Sequence, residues 1–143
     1  MSLNAESCSL QIKQINDAIE KYANSKLREN DLSLTQTSVL IELDDSEDRI
    51  RSLKWLERRF SVAQPTMLGI VNRLEQKGLV TTFANPNDKR VKMVRLTGAG
   101  HDKCACGYTY MNDTETLLLE ALSPDEQTEL KRLLGKIKNH LQK

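Results

Sequence analysis

No apolar run in this chain approaches the roughly 18–20 residues that a membrane-spanning helix needs. The opening residues also lack a basic-then-apolar leader pattern, so a cytoplasmic protein is expected. Met1-Ser2-Leu3 fits either a native start or a remnant of cloning. Three cysteines are present, an odd number; this argues against a disulfide framework and for a reducing compartment. The two histidines, His101 and His140, fall in separate predicted helices. There is no nucleophile elbow, phosphate-binding glycine loop, metal pair or carboxylate constellation, so neither an enzyme nor a cofactor is expected. Acidic residues do gather at Glu42, Asp44, Asp45, Glu47 and Asp48. The central glycine and terminal glutamate of a calcium-binding EF-hand loop are missing there, and the run reads as an exposed, solvated loop.

What is present is a division of charge. The 143 residues are 38% hydrophobic and 29% charged, with a formal net charge of +1, which suits one compact unit or two small intergrown ones. Arg49–Leu96 nevertheless holds 11 Lys+Arg against 3 Asp+Glu, a local excess of +8, and leaves a net of −7 to the rest. That asymmetry marks one segment as an anion-binding surface.

The same segment carries the most regular pattern. From Gln64 to Gln76, Met67, Ile70, Val71 and Leu74 fall at i, i+3, i+4, i+7, one buried stripe of a helix. Thr66, Gly69, Asn72, Arg73 and Gln76 occupy the other face. It is slender and polar enough to approach base edges in a major groove. Pro65 suits the first turn, Lys77 the last, and Gly78 the left-handed residue that ends the helix. Two β-type runs follow, Leu79–Phe83 and Val91–Leu96, around a turn at Asn85-Pro86-Asn87-Asp88-Lys89-Arg90. A helix, a strand, a basic hairpin tip and a returning strand make a winged helix-turn-helix.

Helices flank this module. Leu10 to about Asn30 presents Ile12, Ile15, Ile19 and Tyr22 on one stripe, with Cys8 at its start. A short buried helix over Thr37–Leu43 follows Ser33 or Thr35 as N-cap. Ser52–Phe60 turns Leu53, Leu56 and Phe60 inward and Lys54, Arg58 and Arg59 outward; Trp55 packs on the core or the acidic loop. Thr97 caps a long helix reaching about Leu122, weakened early by Gly98, Gly100 and Gly107. Ser123-Pro124-Asp125-Glu126 is a capping box, and Leu130, Leu133, Leu134, Ile137 and Leu141 form one apolar seam behind it. The expected architecture is mainly α with a small β-wing. Residues 1–31 form an N-terminal dimerisation helix, 32–97 a winged helix-turn-helix DNA-binding module and 98–143 the C-terminal dimerisation helices, as one intergrown domain. The exposed stripes are expected to bury against a second copy of the chain; packing on one another in a monomer is the alternative.

Leu32–Leu141 resembles the MarR family of bacterial and archaeal transcriptional regulators. The most specific part is Asp88-x-Arg90 followed by Val94-Arg95-Leu96-Thr97-x-x-Gly100, which matches the family's wing signature. Gln64-Pro65-Thr66 with Arg73-Leu74-Glu75-x-Lys77-Gly78-Leu79-Val80 is similar to its recognition helix and exit. The resemblance implies a homodimer on a pseudo-palindromic operator, commonly released by a small ligand or an oxidant. It places Arg90 in the minor groove, oriented by a salt bridge from Asp88, and Gln64, Thr66 and Arg73 at the major groove or its phosphates. Two positions depart from the family pattern: Ser61 and Ala63 stand where it often has a turn glycine and a serine cap. Ser61 is the candidate cap, from slightly upstream.

Residue chemistry agrees. Arginine bridges guanine O6 and N7 or enters a narrow minor groove. Asn72 and Gln64 can read adenine or touch phosphate. Lys89, Lys92, Arg58 and Arg59 are phosphate candidates, and the bland alternative for Arg73 is an ion pair with Glu75 or Glu57. His101 and Cys104 share a helix face but lack further zinc ligands, and Cys106 points the other way. A redox role for Cys8 or Cys104 is the sensing alternative, although no flanking cation plainly activates either thiol. A winged module that binds protein instead of DNA is the reading from a different class.

Overall fold

A computed structural model describes residues 7–142. Met1-Ser2-Leu3 lies outside the described residues. Helix α1 (Cys8–Leu27) starts at Ser7, whose side chain accepts from the Leu10 N–H. A single 3₁₀ turn, Arg28–Asn30, follows it and stops at the left-handed Asp31. Helix α2 (Leu34–Asp44) begins in a capping box. Ser33 Oγ accepts from the Gln36 N–H at 3.2 Å, and Gln36 Oε1 accepts from the Ser33 N–H at 3.3 Å. Ser33, not Thr35, is therefore the cap, and the helix is three residues longer at its start than its buried stripe suggested.

A short 3₁₀ segment (Glu47–Arg49) leads to strand β1 (Ile50–Ser52), then helix α3 (Leu53–Phe60), capped by Ser52 through the Trp55 N–H. Helix α4 (Gln64–Gln76), strand β2 (Val80–Asn85) and strand β3 (Asp88–Leu96) follow. Helix α5 (Gly98–Leu119) ends three residues before the expected Leu122, and helix α6 (Pro124–Leu141) starts in the expected capping box at Ser123. The sequence predicts two strands, and the described residues form three. The sheet runs β1-β3-β2, all antiparallel, with Ile50, Arg51 and Ser52 opposite Arg95, Val94 and Met93. Three residues are too few to show an alternation, so β1 exists only through its pairing with β3.

One core lies beneath the module: Val39, Leu40 and Leu43 of α2, Leu53 and Leu56 of α3, Met67, Val71 and Leu74 of α4, with Val80 and Val94 of the sheet. Of the α4 stripe only Ile70 is half-buried rather than buried. Ala23 and Leu27 of α1 and Cys104 and Tyr110 of α5 join this core, and Tyr22 stacks on Tyr110 at 6.2 Å. A compact unit thus ends at Tyr110 and a second begins at Met111. The division falls inside α5, whose first turns pack with the module. In the second unit Gln127 Nε2 donates to the carbonyls of Leu119 and Leu122, closing the turn before α6.

The acidic run is not a solvated loop. Glu42 and Asp44 belong to α2, and the Asp44 side chain is only 12% exposed. Its carboxylate meets His101 Nδ1 at 2.7 Å, the Tyr108 hydroxyl at 3.1 Å and Arg49 Nε at 3.6 Å. Burial opposes its ionisation, but the hydrogen bonds from His101 and Tyr108 outweigh that and hold it below the usual carboxylate range. Only Asp45, Glu47 and Asp48 are exposed.

The glycines that weaken α5 by propensity are close-approach positions. A Cβ at Gly100 would lie 2.1 Å from the Leu79 carbonyl oxygen and 2.5 Å from Leu96 Cδ1; one at Gly107 would lie 2.6 Å from Thr37 Cγ2. The first is the more severe, since backbone cannot yield as a side chain can. Gly100→Ala is expected to lower stability by about 1–3 kcal/mol through overpacking, seen as a lower urea midpoint with an unchanged m-value.

Candidate nucleic-acid interface

The recognition helix is built by its turn. Ser61 adopts the left-handed conformation (φ 53°, ψ 46°) at the end of α3, and its N–H and that of Val62 bond to the Arg58 and Glu57 carbonyls. A serine therefore does what a turn glycine usually does, at some cost in strain. It does not cap α4. Ala63 holds the N-cap position, with no side-chain hydrogen bond and proline in the first turn. The α4 N-terminus thus presents the positive end of its dipole without a side chain over it.

Gln64, Pro65, Thr66, Asn72, Arg73 and Gln76 are all exposed, opposite the buried Met67, Val71 and Leu74. At the far end Gly78 takes φ 75°, the expected left-handed exit. Arg73 makes no ion pair among the described residues; Glu75 bonds Thr82 instead, and Glu57 is half-buried beside the wing.

The wing turns at Pro86-Asn87, where Asn85 Oδ1 accepts from the Asn87 N–H at 2.9 Å and a bulge interrupts the ladder between Ala84 and Asn85. Just past the tip, Asp88 Oδ1 accepts from both the Arg90 N–H and Nε at 3.1 Å, and Oδ2 accepts from Nη2 at 3.2 Å. The Arg90 side chain remains 91% exposed. Its side-chain hydrogen bond first, and its N–H second, hold the Asp88 carboxyl below the usual range, so the clamp stays ionised at neutral pH and opens only in acid. Lower on the ribbon, the Arg95 guanidinium lies 4.6 Å from the Phe83 ring centre.

The positive excess of this segment is only partly available. Arg59 pairs with Glu42 at 2.8 Å and Arg49 with Asp44, so each is turned to a carboxylate of α2. Arg51 bonds Ser46 Oγ and lies 4.0 Å above the Trp55 ring, so Trp55 serves the β1 loop as well as the core. Lys77 is turned to the Asp31 carbonyl and Gln36, and Arg95 to Phe83. Lys54, Arg58, Arg73, Lys89, Arg90 and Lys92 remain, and among the described residues only Arg90 of these has an ion-pair partner. Sequence reading passed over Lys54, whose helical position sets it beside the wing. With Glu57, Gln64, Arg90 and Lys92 it lines a groove of about 270 Å³ that joins the recognition-helix N-terminus to the wing.

The remaining candidates are dispersed. Cys8 and Cys106 are exposed and Cys104 is buried. Among the described residues no group of three His, Cys, Asp or Glu could hold a metal ion, and no helix is long and apolar enough to cross a membrane. Ile12, Ile15, Leu133, Leu134, Ile137 and Leu141 are exposed in the single chain, while Ile19 and Leu130 are half-buried.

Comparison with known proteins agrees with this geometry. The family model described as MarR family matches residues 30–91. The chain is similar to a mutant MarR from E. coli complexed with operator DNA, at 28% identity and TM-score 0.84, covering 96% of this chain and 99% of that one. It shares its fold with the S. aureus MepR–DNA complex (22% identity, TM-score 0.88, 94% and 98% covered). The same holds for Bordetella bronchiseptica BpsR, whose DNA binding is regulated by 6-hydroxynicotinic acid (20%, 0.86, 96% and 97%). An exposed recognition face and an aspartate-clamped wing arginine thus sit on a fold shared over nearly the whole chain with MarR from E. coli, and the segment that carries them up to the wing is similar to the MarR family model.

Proposed function

We propose that the protein is a sequence-specific double-stranded DNA-binding transcriptional regulator, a ligand-responsive repressor acting as a homodimer on a pseudo-palindromic operator. The observation that carries this reading is the Arg90 guanidinium, held by Asp88 at the wing tip yet open to solvent, beside the uncapped start of a polar-faced helix. Arg90 would enter the minor groove. Gln64, Thr66, Asn72 and Arg73 would face the major groove, with Pro65 setting the helix start. Arg58, Lys89 and Lys92, with Lys54 added, would meet phosphates.

Homodimerisation is supported by the apolar stripes. Ile12 and Ile15 on α1, and Leu133, Leu134, Ile137 and Leu141 on α6, are large apolar residues left exposed in the single chain. A second copy that covers both stripes would set two winged modules at a fixed spacing, as a palindromic site requires. The small-molecule effector is the arm supported by the family resemblance and by BpsR; a cavity of about 300 Å³ beside Arg28, Gln36 and Lys77 is a candidate place for it.

The thiol alternative has less support. Cys104 is 2% exposed and donates to the Gly100 carbonyl. Burial, followed by the nearby Asp44, pushes its thiol up to about 11, so the reactive thiolate is disfavoured at neutral pH.

Arg90→Ala is expected to weaken binding to a duplex recovered from the source genome by roughly 1–3 kcal/mol, the scale of one good groove contact. A mobility-shift titration at fixed salt checks it, and an unchanged affinity would remove the wing from the interface. The wild-type affinity should fall steeply with salt, since phosphate contacts release counterions; a flat dependence would favour the protein-binding alternative. Ile137→Glu should shift sedimentation from dimer toward monomer. Brief iodoacetamide treatment at pH 7 should label Cys8 and Cys106 and spare Cys104, as mass spectrometry would show.

A further inference from the structure

Among the described residues, a third strand joins the wing only at its root. Strand β1 pairs with Met93, Val94 and Arg95 and with nothing beyond them. From Ala84 to Lys92, β2 and β3 pair in the sheet with each other alone, and β2 is an edge strand. Such a ribbon can swing about its base, and the chain enters it through Gly78, a residue with wide backbone freedom.

Across that exit the Leu79 N–H bonds the Leu74 carbonyl at 3.0 Å, Thr97 bonds the Gly78 and Leu79 carbonyls, and one side chain of α4 reaches β2 directly. Glu75, in the last turn of α4, directs Oε2 at Thr82 and accepts from both its backbone N–H (3.0 Å) and its hydroxyl (2.8 Å). Thr82 lies opposite Val94, the middle of the three rungs shared by all three strands. Glu75 is exposed and pairs with no cation among the described residues, so neither burial nor an ion pair accounts for its orientation. A carboxylate that accepts two hydrogen bonds from one residue is a strong, directional tie.

We propose that Glu75 is the positioning residue that sets the angle of the wing to the recognition helix, an inference that rests on the DNA-binding reading above. Its leverage follows from geometry. Arg90 lies four residues beyond Val94 along β3, about 13 Å at strand spacing, so a swing of about 10° at the root displaces the tip by about 2 Å. That is enough to take a guanidinium out of hydrogen-bond reach of a groove floor. The brace lets one protomer address two grooves at a fixed separation, because both elements are tied at a single rung.

The test uses the full chain, with Glu75→Ala, Glu75→Gln and a duplex that the wild type selects from a random-sequence pool. The glutamine carbonyl can accept the same two hydrogen bonds, so this variant should restore what alanine loses. In the DNA-free protein, NMR amide relaxation should show Glu75→Ala loosening residues 83–92 while the amides of α4 stay ordered. On the selected duplex, Glu75→Ala should bind roughly tenfold more weakly, the equivalent of one charge-assisted tie. It should lose hydroxyl-radical protection in the minor groove and keep methylation protection of guanine N7 in the major groove. A wing as ordered in Glu75→Ala as in wild type, or a Glu75→Gln protein whose wing stays loose, overturns the brace. If the wild type selects no duplex, the DNA-binding reading falls, and the wing relaxation in the free protein still decides whether Glu75 holds it.

Discussion

The junction around the carbonyls of Gly78 and Leu79 holds the rest of the structure in place. Thr97 Oγ1 donates to the Gly78 carbonyl at 2.8 Å and the Thr97 N–H donates to that of Leu79 at 3.1 Å. The same Oγ1 accepts the Gly100 N–H at 3.0 Å, capping α5, while Gly100 lies bare against the Leu79 carbonyl. The recognition-helix exit, the returning wing strand and the start of the long helix therefore meet at one threonine and one glycine. This gives the Leu-Thr-x-x-Gly motif a physical meaning. The hydroxyl joins two elements, and the missing Cβ lets their backbones touch.

From that junction the interface follows by division of labour among the cations. Arg49, Arg51, Arg59, Lys77 and Arg95 are turned to carboxylates, amides or aromatic rings within the fold, and they stabilise the turns and loops that carry the recognition helix. Of the six others, Lys54, Arg58, Lys89, Arg90 and Lys92 lie about the uncapped helix start and the wing, and Arg73 stands in the last turn of α4. A local excess of positive charge is thus partly architecture and partly surface, and only the three-dimensional pairing separates the two. Asp88 illustrates the second use, since it aims Arg90 without covering it.

Much of the fold is legible in the residues. The i, i+3, i+4, i+7 stripe of α4, the glycine exit, the capping box at Ser123 and the Asp88–Arg90 spacing are local patterns, and local patterns survive folding when packing agrees with them. What stayed hidden depends on contacts between residues distant in sequence or on backbone conformation. Asp44 reads as part of a solvated run because its partners, His101 and Tyr108, lie 57 and 64 residues away. Glu75 reads as a partner for Arg73 because helical neighbours are all that spacing can show. Ser61 in a left-handed conformation has no sequence signature, since serine rarely takes one.

The sequence by itself determined which faces are apolar, which stretches are helical, and which residues sit on the polar face of α4 and at the wing tip. These follow from side-chain chemistry at fixed helical and strand periods. The tertiary structure alone decided the third strand, the burial of Asp44 and Cys104, the retirement of five cations into the framework and the tie between Glu75 and Thr82. Each of these depends on which distant atoms come within about 3–4 Å, the range over which hydrogen bonds and ion pairs act, and linear spacing carries no measure of that distance.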